Sequence, residues 1–442
     1  MPWAAAWVLL GLLTALSQAQ ESGDWHFDVL QLKNGKKIQG LILEETPTDI
    51  HFACILRNPG ERTVVFFTTF QRDEIQDMVR LDASDRKTLQ ARLRSLETGA
   101  REETRRMGQL ELKAAPWVQP SNGPAWSYRS TSFILLSNAS EDIVRRAAVR
   151  LEQMDQAYTR FLPPRHQGGH PTTILLVRSL AEYHALLRKE GRDLLNPAFF
   201  DAAHNRIVCG SDLQHLGDEL EQARRQNQQA LRDLNQEETE LRRLYQGRPP
   251  ATLANRLDQD RQKILQAEDN NQALFQAATR KLFQVLYHEA FHAYLANFVY
   301  PPAEDRVPLW LNEGLAQIFE TAILEAGELR IGHPDKQRLT RLQTDFRKGE
   351  SLSLDELLRA GSDKFVVAHA SDRQVSDRYY LTSWALAFYL TFDRKLVGTP
   401  ALDQYVHRLK SGADPRKAFE KLVGQPLPEF EKAFLERMKD EG

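Results

Sequence analysis

At 442 residues the chain is longer than one hydrophobic core organises, so two or three domains are expected. Its 58 Lys and Arg against 60 Asp and Glu leave a formal net charge of −2, which removes any electrostatic case for binding nucleic acid. With only two cysteines, Cys54 and Cys209, a disulfide scaffold is excluded. Two free buried thiols are expected, with an interdomain bridge as the alternative.

Pro2 to Leu16 is almost wholly apolar, and Ser17 and Ala19 supply small residues at the −3 and −1 positions of a cleavage site. This reads as a secretory signal peptide, residues 1–19, cut after Ala19, and implies a secreted or periplasmic protein. The apolar run falls short of the roughly 20 residues a transmembrane helix needs, and no later segment reaches it, so no stable membrane insertion is expected. The n-region departs from the pattern in carrying no Lys or Arg.

Residues 24–81 read as short strands. Phe27 to Leu32 alternates, Asn34-Gly35 marks a hairpin turn, and Ile38 to Leu43, Ile50 to Leu56 and Arg62 to Phe70 continue the β-type pattern. A small SH3-like barrel is expected, acting either as a binding module or as a spacer. Residues 82–113 follow as a helical linker dense in both charge signs, which suits a solvated helix. Pro116 to Pro124 then marks a loop and a domain boundary.

From residue 117 to the C-terminus the pattern is mixed. Strands are expected at Ser132 to Leu136 and Thr172 to Val177, and helices at Asn138 to Phe161 and Leu180 to Lys189. Asn138-Ala139-Ser140 fits a glycosylation acceptor but is assigned to the helix start. Further strands, Phe199 to Asp201 and Arg206 to Cys209, flank Ala203-His204-Asn205.

An insertion, residues 212–280, changes character. Leu213, Leu220, Asn227, Leu234 and Leu241 recur every seven residues, Gly247-Arg248-Pro249-Pro250 breaks the run, and Leu253, Leu257, Ile264, Ala267, Leu274 and Ala278 resume it. An antiparallel coiled-coil hairpin is expected, with arms of about 50 Å at 1.5 Å per residue. Asn227, Glu237, Asp260 and Asn271 weaken its seam. It serves either as a surface for a partner or for self-association, or as an insertion without such a role.

The chemistry concentrates at Leu286 to Tyr294, where His288-Glu289-x-x-His292 lies in a run without Gly or Pro from Lys281 to Val299. On a helix the two imidazoles fall one turn apart on one side and can share a metal ion. Glu289 beside them is placed to take a proton from an activated water. A third ligand is needed, and Glu313 in Trp310-Leu311-Asn312-Glu313-Gly314-Leu315-Ala316, 21 positions after His292 (313 − 292), supplies it. Asn312 and Gln317 are candidates for supporting the ligands, Gln317 by orienting a histidine. Glu320 is assigned a structural or solvated role. Tyr300-Pro301-Pro302 ends the first helix, and Pro308 suits the first turn of the second.

With these motifs the chain resembles the gluzincin zinc metallopeptidases. The wording Trp310-Leu311-Asn312-Glu313-Gly314-x-Ala316 is similar to the aminopeptidase N-like form, and residues 117–442 resemble a bacterial, secreted peptidase MA-like branch. The resemblance implies an α+β metallopeptidase domain with a mixed sheet and a C-terminal helical subdomain, a Zn2+ cofactor on His288, His292 and Glu313, and a peptide or protein substrate. It also implies a tyrosine that donates to the oxyanion from Tyr379-Tyr380-Leu381-Thr382-Ser383-Trp384. The Tyr-x-x-Ser spacing favours Tyr380, with Tyr379 and His369 as alternatives. By the same resemblance Asn205 to Gly210 is the edge strand that pairs with an extended substrate, the alternative being an ordinary hairpin. No G-x-M-E-N run for a substrate's free amine occurs, so an endopeptidase is expected rather than an aminopeptidase. Two rival readings remain: a secreted binding or scaffold protein with a vestigial metal site, and a zinc hydrolase of a non-peptide amide.

Overall fold

Inward Asp28, Leu30 and Leu32 alternate with half-exposed Val29 and Gln31, which makes Asp28–Leu32 strand β1. The computed structural model describes residues 25–440, apart from 59–61, 118–124, 167–170, 193, 195, 211–212, 248, 326–327 and 366–369. The expected signal peptide therefore lies outside the described residues.

Four strands follow: β2 (Lys37–Glu45), β3 (Asp49–Leu56), β4 (Val64–Gln71) and β5 (Ile75–Val79), the last two joined by a 3-10 turn at Arg72–Glu74. They form an antiparallel sheet in the order β4-β3-β2-β1-β5. Gly35 sits at φ +81° in the β1–β2 turn, where a side chain would be strained. One face buries Leu30, Ile38, Ile42, Ile50, Phe52 and Cys54. The other packs Leu41, Ala53 and Ile55 with Trp25 and with Leu89 of helix α1 (Ala83–Gln109). Buried Asp28 is compensated by the Ile42 and Leu81 main-chain amides, which both donate to its carboxylate at 2.7 Å.

The middle of the chain contributes β6 (Lys113–Ala114), β7 (Trp126–Arg129), β8 (Phe133–Ser137), α2 (Glu141–Phe161), β9 (Thr172–Val177), α3 (Leu180–Lys189), β10 (Ala198–Asp201) and β11 (Arg206–Gly210). Their sheet is mixed, in the order β10-β11-β9-β8-β7-β6, with β8–β9 and β9–β11 parallel. This corrects the expected substrate strand. Asn205 to Gly210 covers β11, which is paired on both sides, by β10 and by β9, and has no free edge for an added peptide. The edge beside it belongs to β10. Asn138 is buried, its amide donating to Glu182 and its oxygen accepting from the Arg178 amide, so it serves the fold.

A helical hairpin follows, α4 (Leu213–Leu244) and α5 (Ala251–Tyr294). Arg224 and Asn227 reach Glu268, Arg261 reaches Glu238 and Arg256 pairs with Glu237, a set of contacts that only antiparallel arms allow. The second arm runs without a break into the His-Glu-x-x-His turn, one helix of 44 residues. A π-turn, Leu295–Val299, closes it.

The remaining elements are α6 (Leu309–Glu320), the short hairpin β12 (Ile323–Glu325) and β13 (Glu328–Arg330), and helices α7 (Lys336–Lys348), α8 (Leu354–Leu358), α9 (Ala370–Phe388), α10 (Pro400–Lys410), α11 (Pro415–Val423) and α12 (Leu427–Asp440). Trp310 of α6 packs edge-on against Phe419, which in turn meets Phe430 at 5.2 Å. The protein is thus α+β, with one antiparallel and one mixed sheet and many helices. Two compact units emerge: the described residues up to Thr104 together with those from Pro308 onward, and Arg105–Val307. No described helix is long and apolar enough to cross a membrane. Cys54 and Cys209 are both free and buried.

Candidate metal centre

Helix α5 is held rigidly where it carries the motif. Leu286 and Phe291 are fully buried, and Tyr158 of α2 packs edge-on against Phe291 at 5.3 Å. The Tyr158 hydroxyl donates to the Tyr287 carbonyl at 2.6 Å, and Tyr294 donates to Leu162 O at 2.7 Å. Just beyond, Asn297 in the π-turn donates to Thr172 Oγ1 at 2.9 Å and to Asn205 Oδ1 at 2.8 Å, which ties the helix end to the sheet. Such side-chain grips fix the helix's rotation, so the direction of its histidines is fixed as well.

On the face so presented, the His288 and His292 ring centroids stand 4.6 Å apart, nearly perpendicular. Glu289 projects a quarter-turn away, and its charge reaches Tyr183 and Cys209 of the neighbouring α3 and β11. Burial chiefly, with this charge adding, pushes both groups well above their usual pKa ranges. Burial thus favours the protonated thiol at Cys209.

Helix α6 opens at Pro308, which occupies the cap rather than the expected first-turn position. Trp310, Leu311, Leu315 and Phe319 bury its apolar side, leaving Glu313 half-buried. Gly314 lets α9 approach: a Cβ there would meet the Ser383 carbonyl oxygen at 2.3 Å. Gln317, expected to orient a histidine, instead donates its amide to the carbonyls of Tyr380 (3.0 Å) and Glu313 (3.3 Å). It stitches α6 to α9 and steadies the turn that carries Glu313. Glu320, assigned a structural or solvated role, pairs with Arg338.

The ligand atoms of His288, His292 and Glu313 all lie within 4.8 Å of one another, and this is the metal-capable group found among the described residues. A tetrahedral ion with bonds of about 2.0–2.2 Å holds its donors about 3.3–3.6 Å apart, inside the 4.8 Å bound that these three side chains meet. Two imidazole nitrogens and one carboxylate oxygen are a donor set that could hold a divalent metal ion.

The two tyrosines separate clearly. Tyr379 is buried and its hydroxyl donates to Glu356 Oε1 at 2.6 Å, so its phenol is committed to the fold. Tyr380 is half-buried and donates to the Phe365 carbonyl at 3.0 Å, a longer bond to a neutral acceptor. His369 lies outside the described residues. Asn312 is half-buried.

A family model described as "Protein of unknown function (DUF1570)" matches residues 283–398. The matched stretch contains His288, Glu289, His292 and Glu313 together with Tyr379 and Tyr380. No curated protein matches the chain.

Proposed function

We propose that the chain is a zinc-dependent metallopeptidase of the gluzincin kind, exported through its N-terminal signal sequence and acting as an endopeptidase. The observation that carries this reading is the convergence of His288, His292 and Glu313 to within 4.8 Å. On this reading the N-terminal sheet is an SH3-like module, supported by its strand order and by the 3-10 turn between β4 and β5. The helical hairpin is then an antiparallel coiled coil.

His288, His292 and Glu313 would hold a divalent cation, which when bound would supply a Lewis acid and lower the pKa of water towards neutral. His288 and His292 provide neutral nitrogen donors, and Glu313 adds one negative charge. Glu289 accepts a proton from the attacking water and delivers it to the leaving amine. Tyr380, after rotating off the Phe365 carbonyl, donates to the developing oxyanion. The 2.6 Å bond that Tyr379 donates to Glu356 supports giving this role to Tyr380 instead.

Digestion of a peptide library with and without a chelator tests this. The chelator is expected to abolish cleavage, and Glu289→Gln to retain zinc while losing about 10²–10⁴-fold in rate. A Glu289→Gln variant that cleaves at the wild-type rate would refute the assignment, and cleavage of a non-peptide amide alone would move the substrate class.

A further inference from the structure

One charged cluster takes no part in the chemistry above. Arg57, at the end of β3, and Glu325 and Arg330, on the β12–β13 hairpin, have side chains only 7%, 9% and 8% exposed. The Glu325 carboxylate accepts from both the main-chain amide and the hydroxyl of Thr63, each at 2.6 Å, and from Arg330 Nη1 at 3.1 Å. Arg57 Nη1 lies 3.9 Å from it, and its guanidinium sits over the Trp25 ring at 3.8 Å. Arg330 Nη2 donates to the Asn58 carbonyl at 2.9 Å. Residues 57, 58 and 63 lie between β3 and β4 of the N-terminal sheet, some 260 positions away in sequence from the hairpin they grip.

Charges this buried are costly unless every partner is in place, so the cluster holds one geometry rather than a range. A short stretch of chain separates the cluster from α6. Glu325 follows the last residue of α6 by five positions (325 − 320). Beyond β13 the chain enters α7, whose Arg338 donates to the Gln317 carbonyl at 3.1 Å and pairs with Glu320. Gln317 in turn donates to the carbonyl of Glu313. The C-terminal half of α6 is therefore braced by α7, which follows the hairpin in the chain, while Gly314 is braced by α9.

We propose that Glu325 is a positioning residue for the metal ligand Glu313, and that through it the N-terminal sheet is a working part of the metal centre rather than a separable binding module or spacer. The inference rests on the zinc reading above. Zinc affinity of the full chain, measured by competition with a chromophoric chelator, tests it. Glu325→Gln leaves two buried guanidiniums facing a neutral amide and is expected to weaken zinc binding about 10–100-fold, the range seen when supporting partners of ligands are removed. Thr63→Val removes a single donor and should weaken it less, and it decides the matter if Glu325→Gln does not fold. Arg72→Ala, which breaks the exposed pair with Glu45 in the same sheet, should leave affinity unchanged. Unaltered zinc affinity in the folded cluster variants, with only a lower melting temperature, would overturn the proposal and leave a structural staple. A wild-type chain that takes up no zinc is a different result: it removes the metal reading and this inference with it.

Discussion

The α-carbon of Gly314 and the carbonyl oxygen of Ser383 are so close that a single methyl group at Gly314 would come within 2.3 Å of that oxygen. Helix α6 thus has its registration against α9 set one residue after Glu313, the third member of the candidate metal group. Gly314→Ala must push the helices apart or distort one of them, at a cost of about 1–3 kcal/mol for overpacking. Chemical denaturation should show this loss. Zinc affinity should fall in the same variant, because Glu313 moves with its neighbour.

Tyr379 and Tyr380 are adjacent in sequence but differ in what they hold. Tyr379→Phe removes a donor from Glu356 and should destabilise the fold by about 1–3 kcal/mol with little change in hydrolysis. Tyr380→Phe should leave stability nearly unchanged and lower kcat by about 10²–10³-fold, the usual effect of losing one oxyanion donor. Thermal melts and steady-state kinetics on the two variants separate the roles, and the reverse pattern would exchange them.

A pH effect on stability is expected from His333, between β13 and α7. Burial lowers its pKa below the usual 6.5, Arg330 adds to this, and a bond to the Thr321 backbone and the Asp335 charge oppose it. The unfolded chain therefore takes up this proton first as the pH falls. Stability is complete above about 6.5 and declines as the pH drops towards the folded pKa. In the presence of a chelator, the melting temperature should fall from pH 7.5 to 5.5, and His333→Gln should reduce that fall. An identical decline in the variant would assign it to other groups.

Much of the chain was readable from local pattern. The strand Thr172–Val177 and the helix Leu180–Lys189 occupy their expected residues, because periodicity and end signals agree there. His288, His292 and Glu313 were legible as candidates because helical spacing and a short connection allow the proximity that the structure gives them. Two helices were missed although their signals stand in the sequence. Lys336–Lys348 begins at Asp335, which accepts from the Arg338 amide, and ends at left-handed Gly349. Pro415–Val423 has the cap Asp414, Pro415 in its first turn and left-handed Gly424.

Other features depend on pairings between distant parts of the chain. The interior position of β11 is set by parallel pairing with β9, more than 30 residues earlier, and nothing in Arg206 to Gly210 announces it. Glu325 and Arg330 read as ordinary surface charges in a short polar hairpin until Arg57 and Thr63 are brought against them. The role of Gln317 likewise needed α9 in place before its amide had the Tyr380 carbonyl to bind.

The most direct measurement is the metal content and ligand set of the purified full chain, by elemental analysis and X-ray absorption at the zinc edge. One zinc per chain is expected, with two imidazole nitrogens and one carboxylate oxygen from the protein, and Glu313→Ala and His292→Ala should each bind it far more weakly. A chain that binds no stoichiometric zinc, or binds it equally well after either substitution, would contradict the assignment.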